Sequence, residues 1–150
     1  GTISSGSYPL EIRKLYPDIV VSGEACPMWV PLVENYEYDS PGADYFVEKR
    51  IGNLLRKDPA IDTIVLGCTH YPLLLNKILK YTPRNVRIVP QGEYVAYSLK
   101  DYLQRHTEIE TLCTQSGTCR FLTTESPDKF MESASIFLRQ HVEAERVVLE

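Results

Sequence analysis

The sequence predicts an α/β fold built on a largely parallel sheet. Short runs of β-branched residues alternate along the chain with longer stretches whose apolar residues recur at helical spacing. Most of the short runs are continuously apolar, which is expected of strands that are buried on both faces of a sheet. The 150 residues suffice for a domain with its own core, because a domain of this size buries roughly two-thirds of the surface of its unfolded chain.

Strands are predicted at 19–21, 61–66, 86–89, 120–123 and 146–149. Between the strands, two stretches follow glycine-containing turn signals and carry apolar residues at helical spacing. The first stretch follows the run at 40–42, and the second follows Gly92. The periodic positions are Ala43, Val47, Ile51, Leu54 and Leu55 in the first helix and Val95, Leu99, Tyr102 and Leu103 in the second.

A third helix is predicted after Ser126. Serine is a favoured N-cap residue, and Pro127 then occupies the first helical position, where its missing N–H costs nothing. Residues 107–119 are polar and lack periodicity, so we expect a linker or exposed loop there. The sequence therefore predicts two parts, an α/β domain over residues 1–106 and a strand–helix–strand segment over residues 107–150.

The composition excludes several classes of function. The formal net charge is −4, from 16 basic and 20 acidic residues, and the scattered basic residues give no footprint for nucleic acid. No apolar run approaches the roughly 18 residues of a membrane span. The four cysteines form no dense framework and no signal segment opens the chain, which favours free thiols in a reducing cytoplasm. A small-molecule ligand is the expected partner.

Cys68 is the strongest candidate for chemistry. The predicted strand ends at Leu66, a turn containing Cys68 and His70 follows, and Pro72 opens a helix. In open parallel sheets, ligands bind in the crevice beyond the carboxyl ends of the strands. The positive end of the helix dipole favours a thiolate at this position, and His70 is close enough along the chain to form a thiol–imidazole pair.

The surroundings of Cys68 disfavour most other roles for this residue. A free cysteine is most often a small apolar core residue, but the strand end, the helix start and His70 together favour a functional role. A phosphatase-type loop needs an arginine at the position that Leu74 occupies. Cys68 with His70 offers only two metal ligands, and Cys113 with Cys119 lacks the spacing of a zinc knuckle, so no metal is expected. A cysteine hydrolase remains open.

The run from Gly67 to Leu74 closely resembles the second catalytic motif of bacterial glutamate racemases. Related aspartate racemases usually carry glutamate where this chain has His70. The resemblance extends over nearly the whole chain, because three further segments follow in the family's order. These segments are Gly1-Thr2-Ile3 leading to Tyr8, Glu24-Ala25-Cys26-Pro27 leading to Val30-Pro31-Leu32-Val33-Glu34, and Gln91-Gly92 followed by Val95-Ala96.

The resemblance implies an aspartate/glutamate racemase-like fold and a two-base reaction. Cys68 would be one of two thiols facing opposite sides of the substrate Cα, with His70 and Glu34 assisting proton transfer. Thr69 and Thr2 would help to hold the glutamate. No pyridoxal or other cofactor is implied, so hydrogen-bond donors in a dry pocket would have to stabilise the carbanion. The family also implies a cytoplasmic homodimer that makes D-glutamate for peptidoglycan.

The sequence departs from the family pattern in one respect. The aspartate and the first catalytic cysteine of the family's N-terminal domain have no counterpart here, and Cys26 lies in a different motif. We therefore expect a C-terminal fragment that is inactive alone, with the segment from about residue 107 packing on the absent domain. The alternatives are a related aspartate or hydantoin racemase, a cysteine hydrolase, or a non-catalytic folded module.

Overall fold

The computed structural model describes residues 1–115 and 117–149, and parallel strand pairs are its framework. Strand β1 (Thr63–Leu66) pairs with β2 (Arg87–Pro90), in a register that sets Leu66 opposite Pro90. Strand β3 (Phe121–Thr123) pairs with β4 (Ala144–Arg146). The predicted parallel pairing is confirmed, but the described residues form two separate two-stranded sheets in place of one larger sheet.

Helices fill most of the chain between these strands. In chain order they are α1 (Thr2–Ser5), α2 (Ser7–Leu15), α3 (Trp29–Glu34), α4 (Pro41–Lys57), a 3-10 helix (Tyr71–Leu74), α5 (Leu75–Tyr81), α6 (Gln91–Arg105), α7 (Thr107–Glu110) and α8 (Pro127–Leu138). The helices predicted after 40–42, Gly92 and Ser126 are confirmed as α4, α6 and α8. The predicted strand at 19–21 is wrong: these residues adopt no regular structure, and Val20 is exposed. A β-branched run forms a strand only where another strand is available to pair with it.

The chain divides into two compact units, Gly1–Tyr94 and Val95–Glu150. The division lies inside α6, earlier than the boundary after residue 106 that the sequence predicts. Residues 107–110 of the predicted linker form the short helix α7. The packing of residues 107–150 on another domain stays a prediction.

Helix α4 supplies much of the core of the first unit. Ser40 caps its N-terminus by accepting a hydrogen bond from the backbone N–H of Ala43 at 3.2 Å. Along one face of α4, the side chains of Ala43, Val47 and Ile51 are buried completely or almost completely. The other buried apolar residues of this unit are Trp29, Val33, Ile64, Leu66, Leu74, Ile78 and Val86.

An ion-pair cluster joins α4 to α5. The Asp44 carboxylate accepts hydrogen bonds from Lys77 at 2.6 Å, Lys80 at 2.8 Å and the Tyr81 hydroxyl at 2.8 Å. These hydrogen bonds hold the pKa of Asp44 well below its usual range. The helix that precedes β1 and the helix within the β1–β2 connection are thus fixed to each other.

The second unit has a small core of its own around α8 and β4. Val142 is buried, and its backbone N–H donates to the hydroxyl of Ser135 on α8 at 3.2 Å. The rings of Phe121 and Phe130 lie 6.3 Å apart between centroids. Strand β4 begins and ends earlier than the predicted 146–149, because Phe121–Thr123 pairs in register with Ala144–Arg146.

Candidate functional site

The turn after β1 presents Cys68 at the end of a strand that is buried on one face only: Ile64 and Leu66 are buried and Val65 is exposed, so the expected burial on both faces is wrong for this strand. Leu66 is buried and ends β1, while Cys68 is only partly exposed. The carbonyl of Cys68 accepts the backbone N–H of Tyr71 at 3.3 Å, which closes the turn. The predicted helix at Pro72 is present, but its first turn is the 3-10 helix Tyr71–Leu74. The sequence prediction of a strand–turn–helix junction around Cys68 is therefore confirmed.

The Cys68 thiol faces the imidazole of His70. The Sγ atom lies 3.8 Å from Nδ1 of His70, which is within reach of a sulfur hydrogen bond. The hydroxyl of Thr69 lies 3.5 Å from the same nitrogen. Three consecutive residues of the motif thus place a thiol, a hydroxyl and an imidazole together at one side of the turn.

Glu34 completes a line of proton-carrying groups. It is the last residue of α3, and its Oε1 atom lies 3.4 Å from Nε2 of His70. The thiol and the carboxylate therefore lie on opposite nitrogens of one imidazole. In this arrangement His70 can exchange a proton with Cys68 while Glu34 orients the ring and stabilises its charged form. The partial exposure of His70 and Glu34 leaves the line open to a ligand.

Cys26 and Tyr71 form the buried side of the site. Burial raises the pKa of Tyr71, and the neighbouring thiols of Cys26 and Cys68 raise it further. Burial also raises the pKa of Cys26, to about 12, with the charge of Glu24 acting in the same direction. Both groups are neutral near pH 7, so Cys26 is unsuited to act as a base. Cys113 and Cys119 are exposed free thiols of the second unit.

Glu24 anchors the segment that carries Cys26. Its carboxylate accepts hydrogen bonds from Arg50 at 2.9 Å, Asn53 at 3.2 Å and Lys57 at 2.5 Å, all on α4. Burial raises the pKa of Glu24, but these hydrogen bonds outweigh it and hold the pKa at about 2. A segment without regular structure is thereby fixed to the longest helix.

Tyr8 and Gln91 contact the two residues that precede Cys68. The amide nitrogen of Gln91 donates to the Tyr8 hydroxyl oxygen at 2.8 Å and to the Leu66 carbonyl at 3.0 Å. The sequence prediction placed neither residue in the site, although both stand in segments that carry the family resemblance. The sequence carries no local signal for the hydrogen bond from the Gln91 amide to Leu66, because the two residues are 25 positions apart.

The structure assembles four of the five predicted site residues: Cys68, Thr69, His70 and Glu34. Thr2 begins the short helix α1, where its carbonyl accepts a hydrogen bond from the Ser5 hydroxyl at 2.9 Å. This contact is local to the helix, and a role for Thr2 in binding a substrate stays a prediction.

Over residues 1–115 and 117–149, no group of three or more His, Cys, Asp or Glu side chains is arranged to hold a metal ion. None of the helices in this same part of the chain has the length and hydropathy to cross a bilayer. The second unit contains an open groove of about 380 Å³ that includes none of the predicted site residues. Its lining residues are Ala96, Leu99, Lys100, Leu103, Gln104 and Glu110.

Comparison with known proteins gives consistent relatives. The glutamate racemase of Thermoanaerobacter sp. (strain X514) is 37% identical over 142 residues, which are 95% of this chain and 52% of that protein. A glutamate racemase isoform from Bacillus anthracis superposes with a TM-score of 0.85 at 31% identity, over 99% of this chain and 54% of its own. The Francisella tularensis glutamate racemase in complex with D-glutamate gives a TM-score of 0.82 at 25% identity, over 99% and 55%. No family model matches the sequence.

These similarities confirm the α/β fold and the racemase resemblance that the Cys68 motif predicts. The similarity covers only part of each relative, since the chain spans about half the length of the curated relatives that it matches.

Proposed function

We propose that Cys68 is one of two acid/base thiols in the interconversion of L- and D-glutamate. The chain matches about half of a glutamate racemase in sequence and in fold. The observation that carries the proposal is the line from Cys68 Sγ through the His70 imidazole to the Glu34 carboxylate. A thiol in this position can lose its proton to His70 and then accept one from a substrate carbon.

Inversion at Cα requires two groups on opposite faces. Cys68 as thiolate removes the Cα proton on its own face, so the C–H bond breaks, an S–H bond forms and the electron pair stays on the substrate. A second thiol, outside the segments described for this site, returns a proton to the opposite face. In the reverse direction the second group, now a thiolate, removes the Cα proton and Cys68 donates its own proton, which returns both thiols to their starting protonation states.

The substrate carbanion is stabilised by hydrogen bonds, and no cofactor is required. Thr69, next to Cys68, and Thr2 supply hydroxyl donors for the substrate carboxylates in this proposal. A preorganised site of this kind stabilises developing charge strongly, because its donors do not reorganise during the reaction. The relative from F. tularensis in complex with D-glutamate supports a small amino acid as the ligand.

The complete protein would supply D-glutamate for peptidoglycan in a bacterial cytoplasm and act as a homodimer. Residues 107–150 would pack on the rest of that protein, and the isolated 150-residue chain would be inactive. Exposed apolar side chains of this segment support the packing, among them Ile109, Leu112, Val148 and Leu149.

The decisive experiment compares the protein that contains this sequence with its Cys68→Ser variant. Racemisation of each glutamate enantiomer is followed by circular dichroism, and exchange of the α-proton is followed by NMR in deuterated water. We expect the variant to lose at least about 10³-fold of the racemisation rate, because a hydroxyl is a far weaker acid/base group than a thiol.

Cys113→Ser is the matched control, since it replaces an exposed thiol by the same residue, and it should keep full activity. Undiminished racemisation in Cys68→Ser would reject the assignment of Cys68. A panel with aspartate and hydantoins tests the related racemases: we expect glutamate to be the preferred substrate, and a clear preference for either alternative would reassign the reaction.

A cysteine hydrolase is a second candidate, favoured by the same thiol–imidazole–carboxylate line. Such an enzyme would form an acyl-thioester on Cys68 and release it to water. It would show a burst of p-nitrophenolate from p-nitrophenyl acetate followed by steady turnover, with no incorporation of deuterium into glutamate. For this protein we expect no burst of p-nitrophenolate and clear incorporation of deuterium into glutamate.

A further inference from the structure

The phenol ring of Tyr8, on α2, lies directly against Gly67, the residue before Cys68. A Cβ atom at position 67 would stand 3.3 Å from the Tyr8 hydroxyl oxygen and 3.5 Å from the ring carbon that bears it. The first of these distances is tighter than side chains normally accept. Gly67 therefore allows an approach of Tyr8 to the backbone of the turn that another residue would disturb.

Gln91 connects this tyrosine to the end of the strand. Its side-chain nitrogen has two N–H groups, and it donates to the Tyr8 hydroxyl oxygen at 2.8 Å and the Leu66 carbonyl at 3.0 Å. One amide thus joins α2, the last residue of β1 and the first residue of α6. The backbone on the N-terminal side of Cys68 is held from two directions.

We propose that Tyr8 and Gln91 are positioning residues for Cys68, an inference that rests on the proposed racemase function. Ring contact and hydrogen bonds fix the Leu66–Gly67 backbone, and that backbone sets where the Cys68 thiol stands relative to His70. The 3.8 Å separation between Sγ and Nδ1 lies near the limit of a sulfur hydrogen bond, so a small shift of the turn breaks the pair. A displacement of about 1 Å costs up to about 10²-fold in rate for a reaction that depends on geometry.

The first test is Tyr8→Phe, which removes the hydroxyl and keeps the ring. In the complete protein we expect kcat to fall about threefold to tenfold, with KM changed less than about twofold, because the substrate contacts are untouched. The pH profile of Cys68 alkylation by iodoacetamide, read by peptide mass spectrometry, should shift as well. Tyr97→Phe is the matched control, since Tyr97 is exposed on α6, and it should change neither measurement.

Gln91→Met keeps the length of the side chain and removes both donors, so it should lower kcat and shift the alkylation profile at least as much as Tyr8→Phe does. The double variant should be no worse than Gln91→Met alone, because Gln91→Met already removes the hydrogen bond that Tyr8→Phe removes. Gln91→Met also provides an independent test if Tyr8→Phe does not fold.

A second double-mutant cycle pairs Gly67→Ala with Tyr8→Phe. The new methyl group of Gly67→Ala meets the Tyr8 hydroxyl at 3.3 Å, and removing that hydroxyl leaves an ordinary contact at 3.5 Å. The kcat of the double variant should therefore be higher than the value calculated by multiplying the parent kcat by the fractional activities of the two single variants. Simple additivity of the two losses would overturn the proposed contact.

The outcomes separate this inference from the function on which it rests. If the parent protein racemises glutamate but Tyr8→Phe and Gln91→Met keep its kcat and its alkylation profile, the positioning role alone is rejected. A raised KM with unchanged kcat would make Tyr8 a substrate contact and reject the role too. If the parent protein fails to racemise glutamate, or Cys68→Ser remains active, the proposed function and the inference fall together.

Discussion

The indole of Trp29 packs edge to face against the phenol ring of Tyr71, with ring centroids 4.8 Å apart. Trp29 is 2% exposed and also donates from its indole nitrogen to the carbonyl of Phe46 at 3.3 Å. Tyr71 in turn borders both Cys26 and Cys68. The buried side of the site is thus continuous with the core of the first unit.

Trp29→Ala should therefore reduce the free energy of unfolding by about 3–5 kcal/mol, because it leaves a large cavity in the core. Urea unfolding followed by far-UV circular dichroism measures the loss. Tyr45→Ala, an exposed aromatic on α4, is the control and should cost less than about 1 kcal/mol. Equal losses for the two variants would contradict the packing described for Trp29.

Glu34→Gln should lower kcat for racemisation about tenfold to a hundredfold, because glutamine keeps the shape but cannot offset the charge of a protonated His70. Steady-state kinetics with both glutamate enantiomers measures the effect. Glu37→Gln, a nearby exposed carboxylate, should leave kcat within a factor of two. A Glu34→Gln variant with the parent's kcat would show that the 3.4 Å contact with His70 does not serve the reaction.

Glu24 should make the stability of the protein depend on pH. Its folded-state pKa of about 2 lies below the ordinary value of 4.5, because three hydrogen bonds outweigh the effect of burial. Its charge therefore contributes stability above about pH 5, and this contribution is lost as the pH falls towards 2. Glu24→Gln should cost about 2 kcal/mol at pH 7, and the difference from the parent should shrink with acidification.

Urea unfolding at a series of pH values between 7 and about 2.5 tests this expectation for Glu24. Glu48→Gln on the exposed face of α4 controls for the general change of charge and should show a small difference at every pH. A constant difference for Glu24→Gln across the series would rule out the proposed linkage.

Val142→Ala should reduce the stability of the second unit by about 1–3 kcal/mol, since Val142 is 2% exposed and a smaller side chain leaves a void. Native-state hydrogen exchange in α8 and β4 reports this loss locally. Val148→Ala, where the side chain is 83% exposed, makes the same change at the surface. Similar exchange rates in both variants would show that Val142 is not part of a core.

Local signals in the sequence predict the elements that local chemistry determines. Ser40 and Pro41 mark the start of α4, and the helix begins there with the expected cap. The apolar run before Gly67 and the proline that follows Tyr71 locate the Cys68 turn correctly. The pairing of His70 with Cys68 follows as well, because the two residues are neighbours along the chain.

Contacts between distant segments are what the sequence does not reveal. The run at 19–21 has the composition of a strand and lacks a partner, whereas the N-terminal residues 2–15 form helices that the prediction omits. Gly6 adopts a left-handed conformation between these two helices and interrupts their periodicity. Tyr8 and Gln91 meet at Gly67 only after folding, so neither could be assigned to the site from its own surroundings.

The register of β1 and β2 restricts where this part of the chain can change in length. Leu66 lies opposite Pro90, so the turn with Cys68 and the helix that begins at Gln91 leave the same edge of the strand pair at a fixed offset. An insertion in the exposed turn at 83–85 leaves that offset intact. A single-residue insertion or deletion within either strand moves Gln91 away from the Leu66 carbonyl. In related sequences the turn between α5 and β2 can therefore vary in length. The offset between the end of β1 and the start of α6 must stay constant.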